Sequence, residues 1–256
     1  MSGAYYNEID PYAAQWLRNL IAAGHIAPGD VDERSIEDVH PDDLKHYTQC
    51  HFFAGIGVWS LALRRAGWPD DRPVWTGSCP CQPYSQAGQG LGFDDPRHLW
   101  PHFAWLIRER RPGEVLGEQV ASKDAEPWLD LVQADLEAMD YAFGAVAFPS
   151  AGIGAPHIRD RTYWVAHANG DGCEQPNSLL LGWQQNEASG DASGGMPWSD
   201  VEWIVCPDGK KRPCKPGIDL LADGHSFGLD QLRAYGNAIN AEAATQFIAA
   251  YLDATS

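Results

Sequence analysis

The chain has 256 residues, 44% of them apolar, and a formal net charge of −17. This apolar content is enough to fill the core of one sizeable domain with an insertion, or of one large and one small domain. The acidic excess argues against a protein that binds nucleic acid by charge alone, because such binding depends on Lys and Arg side chains that neutralise phosphates.

No apolar run reaches the roughly 18 residues that a transmembrane helix needs, and the N-terminus lacks the basic start of a targeting signal. We therefore expect a soluble, cytoplasmic protein without a membrane partner. Six cysteines, at positions 50, 79, 81, 173, 206 and 214, include no Cys-x-x-Cys pair. This spacing fits neither a disulfide framework nor a zinc knuckle, so we expect free thiols and no bound metal.

The first predicted helix begins at Asp10, a suitable N-cap, with Pro11 in the first helical position. Apolar residues recur at helical spacing as far as Gly24, which ends the helix: Ala13, Trp16, Leu17, Leu20 and Ile21. Residues 48–53 are predicted to form a buried strand. The strand breaks at a turn with two glycines, residues 54–57, and a second helix follows.

The next stretch predicts two more helices with a strand between them. Residues 99–110 have an amphipathic helical pattern, an apolar strand-like pair follows at 115–116, and another helix starts at Pro127. Strands that alternate with helices of this length predict an α/β fold with a mostly parallel, doubly wound sheet. Ligands bind at the carboxyl ends of such strands. Three strand-end residues are therefore expected to converge: Gly55, Cys81 and Glu118.

The composition changes after Ala166. From residue 167 to about residue 230 the chain is rich in Gly, Asp, Asn, Ser and Pro and has little periodicity. We interpret this part as a small, loop-rich subdomain. A final helix is predicted after Asn240, which is a suitable N-cap. The predicted catalytic domain thus comprises residues 1–166 and 231–256.

A cysteine in a turn is the first candidate for chemistry. The run from Gly77 to Ser85 places Cys81 in a Pro/Gly-rich turn directly after a strand-like segment, which is where an enzyme presents a nucleophile. The thiolate is the reactive form of cysteine, and it needs an activated acceptor such as C6 of a pyrimidine ring. Cys79 is predicted instead to be a small buried side chain.

Two charged residues complete the predicted constellation. Glu118 follows the apolar pair at 115–116, and Arg161 precedes the strand-like residues 162–166. Provided that burial raises its pKa, the Glu118 carboxyl is the right kind of donor for N3 of the pyrimidine as negative charge develops. Arg161 is expected to hold the carbonyl O2 and to pair with Glu118.

Five motifs resemble those of the cytosine-C5 DNA methyltransferases, and the resemblance covers nearly the whole chain outside 167–230. They are, in chain order, the cofactor glycine motif at 53–57, Pro-Cys-Gln at 80–82, Glu-Gln-Val at 118–120, His-Ile-Arg-Asp-Arg at 157–161 and Gly-Asn-Ala-Ile at 236–239. Gln119 stands where the family has Asn, and His157 stands where it has Gln. Both replacements keep the capacity to form hydrogen bonds.

The order of the motifs differs from the family pattern. The family normally follows its glycine motif with a strand that ends in an acidic residue and then a further strand, for which this chain has no room before Gly77. Segments similar to the missing ones occur at the N-terminus: residues 6–11 resemble the ribose-binding segment, and residues 35–44 resemble the adenine-edge segment. We infer a permuted order, which is tolerable because a sheet requires its strands only in spatial order. The strand of Glu8 should still lie beside that of Gly55.

The resemblance implies a Rossmann-like methyltransferase fold that binds S-adenosyl-L-methionine. The cofactor would lie against Phe53, with Glu8 at its ribose. Ser35 stands where the family has an aspartate at the adenine edge. The implied cofactor-binding residues are Glu8, Ile9, Ser35, Ile36, Phe53, Gly55, Gly57, Pro80, Leu99 and Asn237.

The resemblance also implies a reaction. The target cytosine would be flipped out of the duplex, because its C5 and C6 atoms are out of reach inside the stack. Cys81 would add to C6 while Glu118 assists at N3 and Arg161 holds O2, with Arg159 in the same motif. C5 would then take the methyl group, a base would remove the C5 proton, and elimination would release Cys81.

Double-stranded DNA is the implied partner, together with a cognate restriction endonuclease, and the protein is expected to be a monomer. Residues 83–98 are interpreted as a loop that closes over DNA, and residues 167–230 as the region that reads bases in the major groove. The basic cluster at 210–212 is either a phosphate contact or a solvated loop. The predicted DNA contacts are Gln82, Ser85, Gln89, Arg97, Lys210, Lys211 and Arg212.

Three other functions are alternatives. A catalytically silent DNA-binding relative would fit the acidic charge and the short recognition region. The same chemistry on RNA is the second, since tRNA-directed relatives share these motifs. A thiol redox enzyme built on Cys79 and Cys81 is disfavoured, because Pro80 restricts the pair and the usual two-residue spacer is absent.

Overall fold

The structure of the chain is a computed structural model. It describes residues 3–80, 99–122, 125–153, 159–169, 202–205, 211–214 and 238–255. For residues 202–205 and 211–214 the description is limited to the backbone. Of the seven predicted DNA contacts, only Lys211 and Arg212 fall inside these ranges.

The N-terminal segment forms a strand, a helix and a second strand: β1 (Ala4–Asn7), α1 (Pro11–Ala22) and β2 (Gly29–Asp32). The predicted helix start is confirmed, because the Asp10 carboxylate accepts hydrogen bonds from the backbone N–H groups of Tyr12 and Ala13. This side-chain cap satisfies two of the amide donors that a helix leaves unpaired at its first turn.

Two strands and two helices follow: β3 (Gln49–Phe52), α2 (Val58–Arg65), β4 (Val74–Gly77) and α3 (Trp100–Arg110). All four correspond to predicted elements. Two short 3₁₀ helices, Ile36–Asp38 and Pro41–Leu44, precede β3 and contact α3.

The second half begins with β5 (Glu114–Val120), α4 (Glu126–Ala138), β6 (Tyr141–Pro149) and β7 (Asp160–Ala168). The remaining elements are β8 (Glu202–Val205), β9 (Lys211–Cys214) and α5 (Ala241–Thr255). The predicted cap of the last helix is confirmed, since the Asn240 side chain accepts hydrogen bonds from the amides of Glu242 and Ala243.

Seven strands form one sheet in the order β2-β1-β3-β4-β5-β7-β6. The pairs from β2 to β5 are parallel, whereas β7 runs antiparallel to both of its neighbours. The predicted mostly parallel α/β sheet is confirmed. β1 lies directly beside β3, which is the neighbourhood that the predicted permuted order requires.

Helices cover both faces of the sheet, so the fold is doubly wound as predicted. One core lies under α3 and α4 and is rich in aromatic side chains, among them Phe52, Trp75, Phe103, Trp128 and Trp164. The opposite face packs against α2 and α5 through apolar residues that include Leu116 and Tyr163. A third cluster joins α1 to β1.

Two glycines allow this aromatic core to reach the middle of the sheet. A Cβ atom on Gly117 would lie 2.1 Å from the Trp164 ring, and one on Gly77 would lie 2.5 Å from the Phe103 ring. No side chain fits at these distances. At Gly77 on β4 and Gly117 on β5, the aromatic rings therefore pack directly against the strand backbone.

Two features were not predicted. β6 contains Gly144 and ends at Pro149, residues that disfavour a strand, and its burial pattern does not alternate regularly. It forms because it is the edge strand and pairs with β7 along its whole length. The antiparallel pair β8–β9 falls within residues 167–230, which had been interpreted as loop-rich.

Among the described residues, no helix is both long enough and apolar enough to cross a membrane. Cys50 and Cys79 are buried and form no disulfide, as expected. Cys79 is only 3% exposed, which confirms its predicted role as a small core residue.

Candidate active site at the carboxyl ends of the strands

A buried ion pair lies at the centre of the candidate site. Glu118, near the end of β5, is 8% exposed, and its Oε1 atom lies 2.6 Å from Nε of Arg161 on β7. The two strands are antiparallel neighbours, so residues far apart in the chain meet here. The predicted pairing of Arg161 with Glu118 is confirmed.

Burial and the neighbouring polar groups shift the pKa of Glu118 in opposite directions. Burial is the largest effect and raises the pKa of the carboxyl above its ordinary value. Arg161, Arg159 and a hydrogen bond from the Ser78 hydroxyl act in the opposite direction, because each stabilises the ionised form. The net effect on the pKa of Glu118 is upward.

Arg159 connects the site to the last helix. Its guanidinium group donates a hydrogen bond to the backbone carbonyl of Ala238, shortly before α5. Burial, and then repulsion from Arg161, lowers the pKa of Arg159, whereas Glu118 raises it. The backbone of Arg159 has a φ of 35°, a conformation that is strained for a residue with a side chain. The hydrogen bond to Ala238 and the unusual backbone conformation together fix the position of Arg159.

A second glutamate lies at the end of β1. The Glu8 carboxylate accepts hydrogen bonds from the amide of Gly55, at 2.7 Å, and from the amide of Asp10, at 2.9 Å. Burial raises the pKa of Glu8, and these two amides oppose that shift. Because each carboxylate oxygen can accept a further hydrogen bond, Glu8 is able to bind a hydroxyl group while it holds the glycine turn.

The glycine turn has the backbone that a closely approaching ligand needs. Three of its residues have positive φ angles, with values of 51° at Phe53, 54° at Gly55 and 78° at Gly57. A Cβ atom on Gly55 would meet nothing within 4 Å, so the backbone here faces open space. The turn and Glu8 form one unit across the β1–β3 pair.

Other predicted cofactor residues surround this unit. Ser35 caps a 3₁₀ helix through its hydroxyl, Ile36 is buried in the core, and Ile9 is 65% exposed next to Glu8. Leu99 is half-buried at the start of α3, and Pro80 is half-buried beyond the end of β4. Neighbouring strands and turns thus carry these positions, but the cofactor role of each stays a prediction.

Several predicted site residues lie outside the described part of the chain: Cys81, Gln82, Ser85, Gln89, Arg97, Lys210 and Asn237. The residue before the predicted nucleophile is described, and Pro80 follows Cys79, whose carbonyl accepts a hydrogen bond from the Gln119 side chain at 3.3 Å. This bond ties the turn after β4 to β5. Lys211 and Arg212 lie on β9.

Sequence reasoning missed two polar contributors to the site. Ser78, in the first position after β4, hydrogen-bonds the Glu118 carboxyl and accepts a hydrogen bond of 3.0 Å from the Trp59 indole. Tyr163 pairs with Glu118 in the strand register and is 1% exposed. The available signal for Ser78 was its position, a small polar residue at a strand end next to the predicted nucleophile.

A cavity of about 360 Å³ opens on another side of β5. It is lined by Gln119, Val120, Ala121, Ser122, Ala125, Glu126, Leu129, Ala147 and Thr162. The Glu118 and Arg161 side chains are not part of this lining. We therefore assign the chemistry to the strand ends, where the titratable groups meet, and not to this cavity.

The arrangement suits addition to a planar, nitrogen-containing ring. A carboxyl whose pKa is raised by burial is able, once protonated, to donate to a ring nitrogen, while a guanidinium group binds an adjacent carbonyl oxygen. The ion pair holds the two groups side by side, so that both could face the same edge of one ring. On a second strand pair, Glu8 and the glycine turn offer a separate place for a ligand with hydroxyl groups.

Part of the chain is similar to a known protein family. The family model described as C-5 cytosine-specific DNA methylase matches residues 68–191, a segment that contains Cys81, Glu118, Arg159 and Arg161. The type II methyltransferase M1.ScrFI of Lactococcus lactis subsp. cremoris is 36% identical over 99 residues, which cover 37% of this chain and 25% of that protein. The type II methyltransferase M.HhaI of Haemophilus parahaemolyticus is 32% identical over 103 residues, which cover 39% of this chain and 32% of that protein.

The matched segments thus span a third or less of the length of these relatives. Among solved structures, a mutant of DNMT2 from Spodoptera frugiperda is similar, with a TM-score of 0.44 and 16% identity, covering 72% of this chain and 45% of that one. The segment matched by the family model includes β5, β7 and their paired charges. Over residues 68–191, the chain is similar to the C-5 cytosine-specific DNA methylase family.

Proposed function

We propose that this chain transfers a methyl group from S-adenosyl-L-methionine to C5 of a cytosine flipped out of double-stranded DNA, with Cys81 as the nucleophile. The observation that carries the proposal is the buried pair of Glu118 and Arg161 at the strand ends, inside the segment that matches the family. This pair supplies the proton donor and the carbonyl-binding group that nucleophilic addition to a pyrimidine requires.

In the proposed reaction the Cys81 thiolate forms a bond to C6, and the negative charge moves through the ring toward N3. Glu118 donates its proton to N3 as this charge develops, and Arg161 holds O2. C5 becomes nucleophilic and takes the methyl group. Loss of the C5 proton to a base, with return of the N3 proton to Glu118, then lets the C6–sulfur bond break, which restores the thiolate and the protonated carboxyl.

The residues near β1 and β3 fit the proposed cofactor. Glu8 has acceptor capacity left for ribose hydroxyls, the Gly55 backbone faces open space, and exposed Ile9 offers an apolar surface beside them. When bound, S-adenosyl-L-methionine supplies the electrophilic methyl group. The chain contributes the binding and orientation of that group.

The proposed DNA contacts depend on the cationic cluster of β9. On α2, the arginines are already engaged with carboxylates: Arg64 lies 2.6 Å from Asp70, and Arg65 lies 2.8 Å from Glu242. Paired cations attract phosphates weakly, since their charge is largely neutralised locally. Phosphate contacts are therefore expected elsewhere, and we propose Lys211 and Arg212 on the ground of their charge. The proposals of a cognate endonuclease and of a monomer rest on the resemblance alone.

A covalent trap tests the proposal. The protein is incubated with S-adenosyl-L-methionine and a mixed-sequence duplex that contains 5-fluorocytosine, whose C5–F bond blocks the final elimination. We expect a protein–DNA adduct that survives denaturing electrophoresis, and no adduct with Cys81→Ser. Adduct formation by Cys81→Ser would refute the assigned nucleophile, and no adduct with the wild-type protein would contradict the proposed reaction on DNA.

A competition assay separates the alternatives. Labelled cofactor is supplied with duplex DNA and tRNA together, and the label in each is counted. Transfer to DNA supports the proposal, and transfer to tRNA alone would assign the same chemistry to RNA. DNA binding without transfer to either acceptor would instead support the catalytically silent relative.

A further inference from the structure

Ser78 connects two buried side chains at the end of β4. Its hydroxyl oxygen lies 3.0 Å from Nε1 of Trp59, which comes from α2 and is 4% exposed. The parallel register pairs Gly77 with Gly117, so the next residues, Ser78 after β4 and Glu118 on β5, lie side by side, and a hydrogen bond from Ser78 acts to lower the pKa of the Glu118 carboxyl. A small hydroxyl group therefore stands between a buried indole and the proposed proton donor.

The chemistry of the three groups fixes the direction of these bonds. An indole N–H is a donor only, so the Ser78 oxygen must accept the bond from Trp59. The hydroxyl hydrogen is then free to point to another acceptor, and the Glu118 carboxyl is that acceptor. Trp59 thus orients Ser78, and Ser78 donates to Glu118.

The other groups that face Glu118 come from β7. They are Arg161, in direct contact at 2.6 Å, and Arg159 and Tyr163, which interact with it electrostatically. The Tyr163 hydroxyl is buried and makes no hydrogen bond within the described part of the protein. α2 contributes Trp59, which does not titrate. Among these neighbours of Glu118, Ser78 is the neutral group that donates to the carboxyl.

We propose that Ser78, oriented by Trp59, is a positioning residue that holds the Glu118 carboxyl in place for the reaction. Arg161 holds one oxygen of this carboxyl from the β7 side, and Ser78 holds the group from the β4 side. Two donors on different strands restrict rotation of the side chain. The value of this restraint for catalysis rests on the proposed function, whereas the contact itself does not.

The first test needs neither cofactor nor DNA. Protein labelled with ¹³C at the glutamate carboxyl carbons is titrated by NMR, and the Glu118 signal is identified by its loss in Glu118→Gln. We expect Ser78→Ala to raise the pKa of Glu118, because it removes a donor that stabilises the ionised form. Ser78→Thr keeps the hydroxyl and should restore the wild-type titration, and Trp59→Phe should shift it in the same direction as Ser78→Ala, but less.

Ser60→Ala is the matched control. Ser60 is another buried serine with a hydrogen-bonded hydroxyl, and it lies on α2, but its partners are Tyr6 and the amide of Ala27. Its removal should leave the Glu118 titration unchanged. An unchanged titration in a folded Ser78→Ala protein, or an equal shift in Ser60→Ala, would overturn the inference whether or not the protein methylates DNA.

The second test measures the rate of adduct formation as a function of pH. Loss of one hydrogen bond to a charged group predicts a rate for Ser78→Ala that is lower by about tenfold. The descending limb, where the Glu118 proton is lost, should move to higher pH, and Ser78→Thr should recover both the rate and the limb. A lower rate with the descending limb at the same pH would mean that Ser78 contributes only to packing. If the wild-type protein forms no adduct, the proposed function fails, and the NMR titration still decides the role of Ser78.

Discussion

The candidate site contains two glutamates, Glu8 after β1 and Glu118 on β5, and the protein holds them differently. Glu8 is bound by backbone amides of the adjacent turns, whereas Glu118 is bound by the side chains of Arg161 and Ser78. Burial raises the pKa of both carboxyls. Amides do not change their charge, so they leave Glu8 a fixed acceptor. The groups around Glu118 are side chains that include the charged Arg161, and they suit a carboxyl that gains and loses a proton.

The largest expected effect tests the proton-donor side of this comparison. Glu118→Gln keeps the shape of the side chain but removes its acidic proton, so methyl transfer should fall by about 10²- to 10⁴-fold. Cofactor affinity should stay within about twofold, because Glu118 lies on a different strand pair from the glycine turn. Single-turnover methylation and calorimetric titration of the cofactor give the two numbers. A variant with full activity would remove Glu118 from the mechanism.

A smaller effect is expected at the acceptor end. Glu8→Gln replaces one carboxylate oxygen by an NH₂ group, so it loses an acceptor for the proposed ribose hydroxyls or for the Gly55 amide. We expect cofactor affinity to fall by about tenfold, the cost of one hydrogen bond to a charged group. At saturating cofactor, the rate of adduct formation should be close to that of the wild-type protein. A fall in the rate without a fall in cofactor affinity would contradict the proposed roles, in which Glu8 binds the cofactor and Glu118 donates a proton.

The smallest expected effect concerns stability and pH. A carboxyl whose pKa is raised in the folded state favours folding at low pH, and this contribution is lost as the pH rises through the folded-state pKa. The difference in Tm between Glu118→Gln and the wild-type protein should therefore shift in favour of the variant from about pH 5 to about pH 9. Thermal unfolding followed by circular dichroism measures it. A difference that is constant with pH would mean that Glu118 titrates normally.

Local signals predicted most of the fold. The caps at Asp10 and Asn240 and the apolar faces of α3 and α4 depend on neighbouring residues, and these elements form where the sequence places them. β6 depends on its pairing with β7, which no local pattern reports. An edge strand tolerates Gly144 and Pro149, although both residue types have a low propensity for strands.

The site was predictable where chemistry singles out a residue, and not where geometry does. Glu118 and Arg161 were expected to pair because a carboxyl and a guanidinium stand at neighbouring strand ends. Ser78 and Trp59 are 19 positions apart, and their contact depends on how α2 packs against the sheet. Serine hydroxyls form hydrogen bonds of many kinds in proteins, so the presence of a serine at position 78 gives no reason by itself to connect it with Glu118.

The hydrogen bond from Arg159 to the carbonyl of Ala238 has a consequence for how such proteins diversify. It joins the start of β7 to the residue that leads into α5, across 79 positions of sequence. Both borders of the intervening segment are thereby anchored to the sheet. The entropy of closing a loop grows slowly with loop length, so this segment could be shortened, lengthened or exchanged at little energetic cost. Under the proposed function, new target preferences could then be acquired as a cassette, without disturbing Arg159 and Arg161.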